Sequence, residues 1–270
     1  MAVLKALQPA ANGLFRNPIL FVITGLYGIV QLPQLLLQSQ DPIVAALVSL
    51  VFSGILLFVA PFFQGGLLAM GDEAITGTTS LNTLIEAGKT NYVALLLAYL
   101  ILIAINLVFG MMLFFGILIG GVGLYAGDVQ PSLAVIALLV GIGLLFVLAY
   151  VLVIFFVQFY AHAIVLSDTG LIDGFKRSIG LVRRRWLSVA GYSILLVIGG
   201  AFFGGVGAVA TTFFTGEQLL GRTVPDLSLP LLIVALLVFL LSVALIGALY
   251  ATYSVAFYRE IDIDSSMNPK

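Results

Sequence analysis

The sequence has no cysteine and only one histidine, His162, among its 270 residues. Without cysteine the chain can form no disulfide, no thiolate metal site and no cysteine nucleophile. One histidine is too few for a histidine-rich metal site or a bis-histidine haem within a single chain. Charged residues are also scarce, at 9%, and the formal net charge of −1 provides no field that would attract a polyanion. These absences predict a protein without nucleic-acid partners.

Apolar residues are abundant instead. Hydrophobic residues make up 62% of the chain, and the mean hydropathy is +1.23. Soluble domains are about half apolar and roughly a quarter charged. The composition therefore excludes a soluble enzyme and a disordered chain, and it predicts a polytopic membrane protein.

Six apolar runs each reach the length of about 20 residues that a helix needs to cross the hydrocarbon core. None of them contains Asp, Glu, Lys or Arg. They are Pro18–Gln38, Ile43–Met70, Tyr92–Leu124, Leu133–Leu166, Leu187–Phe214 and Leu229–Tyr258. The run Leu133–Leu166 is longer than one span requires but has no polar turn to divide it, so we expect it to tilt, kink or continue past the bilayer. The pattern predicts six transmembrane helices.

The basic residues predict the orientation of these helices. With six spans and a cytoplasmic N-terminus, ten of the eleven lysines and arginines lie on the cytoplasmic side, and only Arg222 lies outside. Lys and Arg are concentrated in the cytoplasmic loops of membrane proteins. The distribution predicts a multi-pass protein of the cell (plasma) membrane with both termini in the cytoplasm.

Each odd-numbered span follows an amphipathic segment with the 3.6-residue period of a helix. These segments are Ala2–Arg16, Ser80–Tyr92 and Leu171–Trp186. The repeating unit is then an interfacial helix followed by a transmembrane hairpin, and its recurrence indicates duplication. The predicted fold is all-α, one integral membrane domain over residues 1–270, with pseudo-repeats 1–76, 77–169 and 170–270. The alternative is that any membrane protein built from hairpins alternates in this way.

The third amphipathic segment carries a basic cluster followed by a tryptophan. Its members are Lys176, Arg177, Arg183, Arg184, Arg185 and Trp186. Trp favours the membrane interface, and each basic residue near an anionic surface contributes on the order of 1 kcal/mol. The cluster is therefore a candidate site for anionic lipid headgroups. Two alternatives remain: the charges serve only topology and solvation, or they bind a partner protein.

Two stretches resemble known membrane families. Residues 160–192 contain GFKRSIGLVRRRW followed directly by an apolar span, and Leu14–Phe21 reads LFRNPILF. The first resembles the membrane domain attached to some glycerophosphodiester phosphodiesterases, and both are similar to uncharacterised multi-pass families of halophilic archaea. The resemblance implies a six-helix membrane domain. It implies no catalytic residue, because the catalytic domain of those phosphodiesterases is a separate soluble barrel.

No motif for catalysis or cofactor binding is present. The chain contains no H-E-x-x-H and no P-loop, no G-x-S-x-G precedes a helix, and no Asp lies in a predicted span. The dense acidic groups are Asp72 with Glu73, and Glu260 with Asp262 and Asp264, which we interpret as solvated helix ends. The sequence predicts no catalytic residue, no metal ligand and no cofactor.

A few polar residues lie within the predicted spans. Gln31, Gln34, Asn106 and His162 are candidates for lining a polar cavity, although polar side chains in spans also serve interhelical hydrogen bonding. For His162, pH sensing and a satisfied interfacial histidine are the two interpretations.

Glycines four residues apart predict close helix packing. The pairs are Gly116 with Gly120 and Gly200 with Gly204. They indicate packing within one chain or, for the second pair, dimerisation through the fifth span.

Together these features predict a non-enzymatic membrane protein, a structural or interaction subunit that engages lipid. Its expected partners are membrane lipids, above all anionic ones, and a second copy or another membrane protein. The alternative function is a carrier or channel for an apolar or lipid-like solute, since the predicted spans contain no charge that could couple ions.

Overall fold

The computed structural model of the chain describes residues 2–37, 42–125, 132–215, 218–219, 222–223 and 229–267. This part is almost entirely helical. Its helices are α1 (Ala2–Lys5), α2 (Leu7–Arg16), α3 (Ile19–Leu37), α4 (Pro42–Thr76), α5 (Leu81–Tyr125), α6 (Leu133–Val157), α7 (Tyr160–Leu166), α8 (Leu171–Arg184), α9 (Trp186–Thr215) and α10 (Leu229–Met267). Two short strands, β1 (Gln218–Leu219) and β2 (Arg222–Thr223), pair antiparallel between α9 and α10.

The prediction of an all-α membrane protein is confirmed at this level. Four of the six predicted apolar runs each lie within one helix, and α3 contains the run Pro18–Gln38 apart from its two end residues, whereas Leu133–Leu166 is divided between α6 and α7. By length and composition, four stretches of the described residues can cross a membrane: Ala46–Thr76, Leu81–Leu118, Leu133–Leu166 and Ile233–Ile263. A fifth is available if α1 and α2 form one broken span with Ile19–Val30, to which they are bent by 86°. The count of six spans, their orientation and the threefold repeat stay predictions.

The long run Leu133–Leu166 is interrupted between α6 and α7, although it contains no polar turn. Ser178 on α8 explains the interruption. The Phe159 backbone N–H donates to the Ser178 hydroxyl over 3.1 Å, and the same hydroxyl donates to the Phe156 carbonyl over 2.9 Å. A side chain from a neighbouring helix thus satisfies backbone groups that the break leaves without helical partners.

The three amphipathic segments differ in how they join their spans. The first and third are separate helices, but Ser80–Tyr92 merges into α5, which runs for 45 residues without a break. The first ends at Asn17 because Pro18 disfavours helical geometry in the residue before it, and Asn17 has φ −124° and ψ 72°. No proline separates the second segment from its span.

Asn17 also holds the corner between α2 and α3 in place. Its side-chain amide donates to the Gly13 carbonyl at 2.8 Å and to the Gly77 carbonyl at 3.1 Å. Its carbonyl oxygen accepts from the Thr79 backbone N–H at 2.8 Å. One buried side chain therefore joins this corner to the turn between α4 and α5.

Close helix contacts occur at glycines other than the expected ones. A Cβ at Gly66 would lie 2.6 Å from the Leu84 carbonyl oxygen, and one at Gly71 would lie 2.8 Å from that of Ala251. At Gly116, Gly200 and Gly204 no atom of the described residues lies within 4 Å of such a Cβ. No described part of the chain therefore packs closely against these three positions. The surroundings of Gly120 lie outside the described residues.

Candidate functional site

Charged residues from four helices meet at one end of the helix bundle. Arg259 on α10 forms a two-bond ion pair with Asp72 on α4, at 2.6 and 2.7 Å. Arg177 on α8 pairs with Asp262 at 3.0 Å, and Lys5 on α1 pairs with Glu260 at 3.4 Å. The sequence predicts that these acidic groups are solvated helix ends. Asp72, Glu260 and Asp262 are instead partly buried and paired, because α10 brings its last turns against the other three helices.

A basic groove lies beside these ion pairs, between α8 and the end of α10. Lys176, Arg177 and Arg184 line it together with Asp262, and its volume is about 570 Å³. Arg177, Gly180, Leu181 and Arg184 follow the i, i+3, i+4, i+7 spacing that places them on one helix face. Partial burial lowers the pKa of the Arg177 guanidinium, but Tyr258 and the Asp262 carboxylate outweigh it and raise the pKa overall.

The predicted headgroup residues are divided among several environments. Arg183 borders a second groove of about 350 Å³, whose other lining residues are Leu152, Val153, Phe156, Val157 and Ile179. Lys176 pairs with Asp173 at 3.4 Å. Arg183 and Arg184 form no ion pair with a carboxylate in the described residues. Arg185 is half-buried at the end of α8, and Trp186 is exposed.

A separate cavity of about 240 Å³ lies inside the bundle, between α3, α4, α5, α7 and α10. Polar and aromatic side chains make up much of its wall. The lining residues are Thr24, Tyr27, Ala60, Phe63, Gln64, Leu67, Leu68, Tyr99, Gln158, Ala161, His162, Val243, Gly247, Tyr250 and Ala251. None of the described residues that line the cavity is charged.

Of the four residues expected to line a polar cavity, only His162 is among those that line this one. Asn106 lies in a different groove of about 230 Å³, where it accepts a hydrogen bond of 2.6 Å from the Tyr150 hydroxyl. The side chains of Gln31 and Gln34 lie outside the described part of the chain. The sequence analysis did not predict Tyr27, Tyr99 and Tyr250 as cavity residues, because it grouped tyrosine with the apolar residues. The signal that could have found them is the presence of three hydroxyl groups within apolar runs.

His162 does not fit the interpretation of an interfacial histidine whose ring nitrogens have hydrogen-bond partners. Its side chain is buried, and neither ring nitrogen has a hydrogen-bond partner among the described residues. The ring instead packs against Phe159 and Tyr258, each with a centroid distance of 5.5 Å. Aromatic packing thus holds the ring in place without satisfying either nitrogen.

Within the described residues, no group of three or more His, Asp or Glu side chains is placed to hold a metal ion. The polar wall of the cavity offers hydroxyl, amide and imidazole groups, and the basic groove offers guanidinium and ammonium groups. These groups suit hydrogen bonding and anion binding respectively.

The long apolar helices and the charged surface at one end of the bundle define an integral membrane protein. A family described as a domain of unknown function, DUF7847, matches residues 1–261, and the chain belongs to that family. No curated protein and no solved structure matches the chain.

Proposed function

We propose that this protein is a non-enzymatic subunit of the cell membrane, with both termini in the cytoplasm, that binds anionic lipid at the cytoplasmic interface. The observation that carries the proposal is the basic groove between α8 and α10. Of the described residues, three cations and one carboxylate line it, so their summed charge is +2. Arg184 contributes a guanidinium that no carboxylate of the described residues neutralises.

The second groove supports a lipid rather than a soluble anion. Five apolar residues of α6 and α8 line it, and Arg183 stands at its border. An acyl chain would lie along the apolar residues while its phosphate meets the guanidinium, which is the arrangement of an amphiphile at an interface. The excess of basic residues on the predicted cytoplasmic side supports the orientation.

Two further features support a role as a structural or interaction subunit. Gly200 and Gly204 lie four residues apart on α9 and face open space, and small residues at this spacing favour association of membrane helices. A second copy or another membrane protein is the partner of matching chemistry. The likeness of residues 160–192 to phosphodiesterase membrane domains and to haloarchaeal families agrees with a role as a membrane module.

The internal cavity favours a second candidate function, a carrier for a lipid-like solute. Its wall combines apolar and uncharged polar groups, which suits such a solute better than an ion. A carrier must move its solute between the two sides, so a transport assay separates the two functions, whereas lipid retention at the groove is expected only of the first.

The test of lipid binding compares two double variants that each remove two positive charges. R183Q/R184Q alters the grooves, and R16Q/K89Q removes charges from exposed positions on α2 and α5. Phosphatidylglycerol retained by the purified protein is quantified by mass spectrometry, with phosphatidylcholine as the reference lipid. At about 1 kcal/mol for each residue, R183Q/R184Q should reduce the preference for phosphatidylglycerol roughly 30-fold.

The control variant R16Q/K89Q should change the preference severalfold less. Equal reductions in the two variants would show that only general electrostatic attraction acts, and they would contradict a lipid site at the grooves. An unchanged preference in R183Q/R184Q would refute lipid binding by this cluster.

A further inference from the structure

The cavity inside the bundle has a polar wall whose hydrogen-bonding capacity is incompletely used. The Tyr27 and Tyr99 hydroxyls make no hydrogen bond to any described residue. Gln64 accepts one hydrogen bond, from the Tyr160 hydroxyl at 3.3 Å, and its amide N–H groups have no acceptor in the described part. With the two nitrogens of His162, four side chains on four different helices have unused polar atoms.

Two other polar side chains of the same wall, those of Thr24 and Gln158, do have hydrogen-bond partners. The Thr24 hydroxyl donates its single hydrogen to the Leu20 or the Ala244 carbonyl, whose oxygens lie 2.8 and 2.7 Å away. Gln158 donates to the Phe155 carbonyl at 2.9 Å and accepts from the Ser193 hydroxyl at 3.1 Å. A polar group in an apolar medium costs on the order of 1–3 kcal/mol when it has no partner. Because several polar groups without partners surround one cavity, the cavity is suited to a ligand (here called the guest) that has a polar group.

The chemistry of the wall restricts the kind of guest. No Asp, Glu, Lys or Arg is among the described residues that line the cavity, so a charged head would be buried there without a counter-ion, which is costly in a membrane interior. Phenol hydroxyls and a neutral imidazole both donate and accept hydrogen bonds. The complementary neutral group is one that also does both, and a hydroxyl is the simplest such group.

The apolar part of the wall and the size of the cavity describe the rest of the guest. Phe63, Leu67, Leu68 and Val243 offer a hydrocarbon surface. The volume of about 240 Å³ exceeds the roughly 150 Å³ that holds a benzene molecule and lies just below the common range of ligand pockets. Tyr250 is 49% exposed, so the cavity is open on that side and a longer alkyl chain can extend outward.

We propose that this cavity binds a neutral amphiphile whose head is a hydroxyl group, an alcohol rather than an anionic lipid. The polar wall binds the hydroxyl, and the apolar wall contacts the first part of the hydrocarbon chain. The site is independent of the basic groove, which lies at the end of the bundle and takes a charged head.

The test is photolabelling of the full-length protein in lipid nanodiscs with a diazirine derivative of 1-octanol, followed by peptide mapping. The comparison probe is the same diazirine on octane, which has no hydroxyl. We expect the alcohol to label residues of the cavity wall in preference to lipid-facing residues, and the octane to label them at least fivefold less. Equal cavity labelling by both probes would overturn the proposal, because the hydroxyl would then have no role.

Two kinds of variant locate the binding site. Y27F/Y99F removes two hydroxyls and keeps the rings, and two hydrogen bonds of ordinary strength correspond to a loss of roughly tenfold in labelling. The matched control is Y150F, whose hydroxyl bonds Asn106 in a separate groove, and it should keep labelling within twofold. Unchanged labelling in Y27F/Y99F would refute recognition of the head by these groups.

A cavity-filling variant supplies the second kind. A60L places a larger side chain in the wall, and it should abolish cavity labelling. G54L is the control on the same helix, because no atom lies within 4 Å of a Cβ at Gly54. The thermal midpoint of each variant is measured alongside. Labelling of A60L at the level of G54L would overturn the proposal, and so would a wild-type cavity labelled no more than the lipid-facing surface, since the cavity would then hold only water.

Discussion

Replacement of Gly71 by alanine should destabilise the protein, whereas the same change at Gly200 should not. A Cβ at position 71 would lie 2.8 Å from the Ala251 carbonyl oxygen and 3.2 Å from a methyl carbon of Val255. Backbone cannot move aside as a flexible side chain can, so α4 and α10 must separate. Overpacking of this kind costs about 1–3 kcal/mol.

At Gly200 the expected change in stability has the opposite sign. No atom of the described residues lies within 4 Å of the added Cβ, and alanine favours a helix over glycine by roughly 1 kcal/mol. Thermal unfolding in detergent compares the two variants with the wild type. At about 2–4 °C for each kcal/mol, we expect G71A to lower Tm by roughly 2–12 °C and G200A to leave it unchanged or raise it. Equal midpoints for the two variants would refute the assigned helix contact.

Four further substitutions test contacts at the end of the bundle where the charged residues meet. R259Q removes the cation that pairs with partly buried Asp72 and should cost about 1–2 kcal/mol, whereas K176Q, at an exposed pair, should change Tm by less than a degree; the reverse order would contradict the pairing. N17A removes three hydrogen bonds and should lower the free energy of unfolding by about 2–4 kcal/mol. The expected result is a lower Tm and faster proteolytic cleavage of the turn between α4 and α5, and cleavage at the wild-type rate would contradict this. S178A should cost about 1–3 kcal/mol and speed hydrogen exchange at the Phe159 amide, and unchanged exchange would show that the hydroxyl does not cap the break.

The sequence predicted the helices well because their signal is local. A run such as Ile43–Met70 has too much apolar surface for water, and its backbone can be satisfied in lipid only as a helix. The break after Val157 was not predictable, since the group that stabilises it belongs to Ser178, in another helix. The pairing of Arg259 with Asp72 spans 187 positions and leaves no trace in local pattern.

For the candidate sites too, local features were predicted from the sequence and contacts between distant residues were not. The basic cluster of α8 was visible because adjacent charges at helical spacing are a local feature. The packing role of a glycine depends on what lies opposite: Gly71 and Gly200 both lie in apolar helices, but of the two only Gly71 meets a neighbouring backbone among the described residues. Most of the polar wall of the internal cavity was not predicted, although His162 was, since tyrosines such as Tyr27 and Tyr99 come together only after the helices pack.

The unbroken length of α5 has a mechanical consequence. Forty-five residues at 1.5 Å each make a rod of about 67 Å, against roughly 40–45 Å for a bilayer with its headgroups. Even a tilt of 40°, the upper end of the usual range, leaves part of the rod outside. The polar turns around Lys89 therefore lie on the same continuous helix as the membrane segment. A displacement of those turns is transmitted to the membrane segment, because the helix has no break between the two parts.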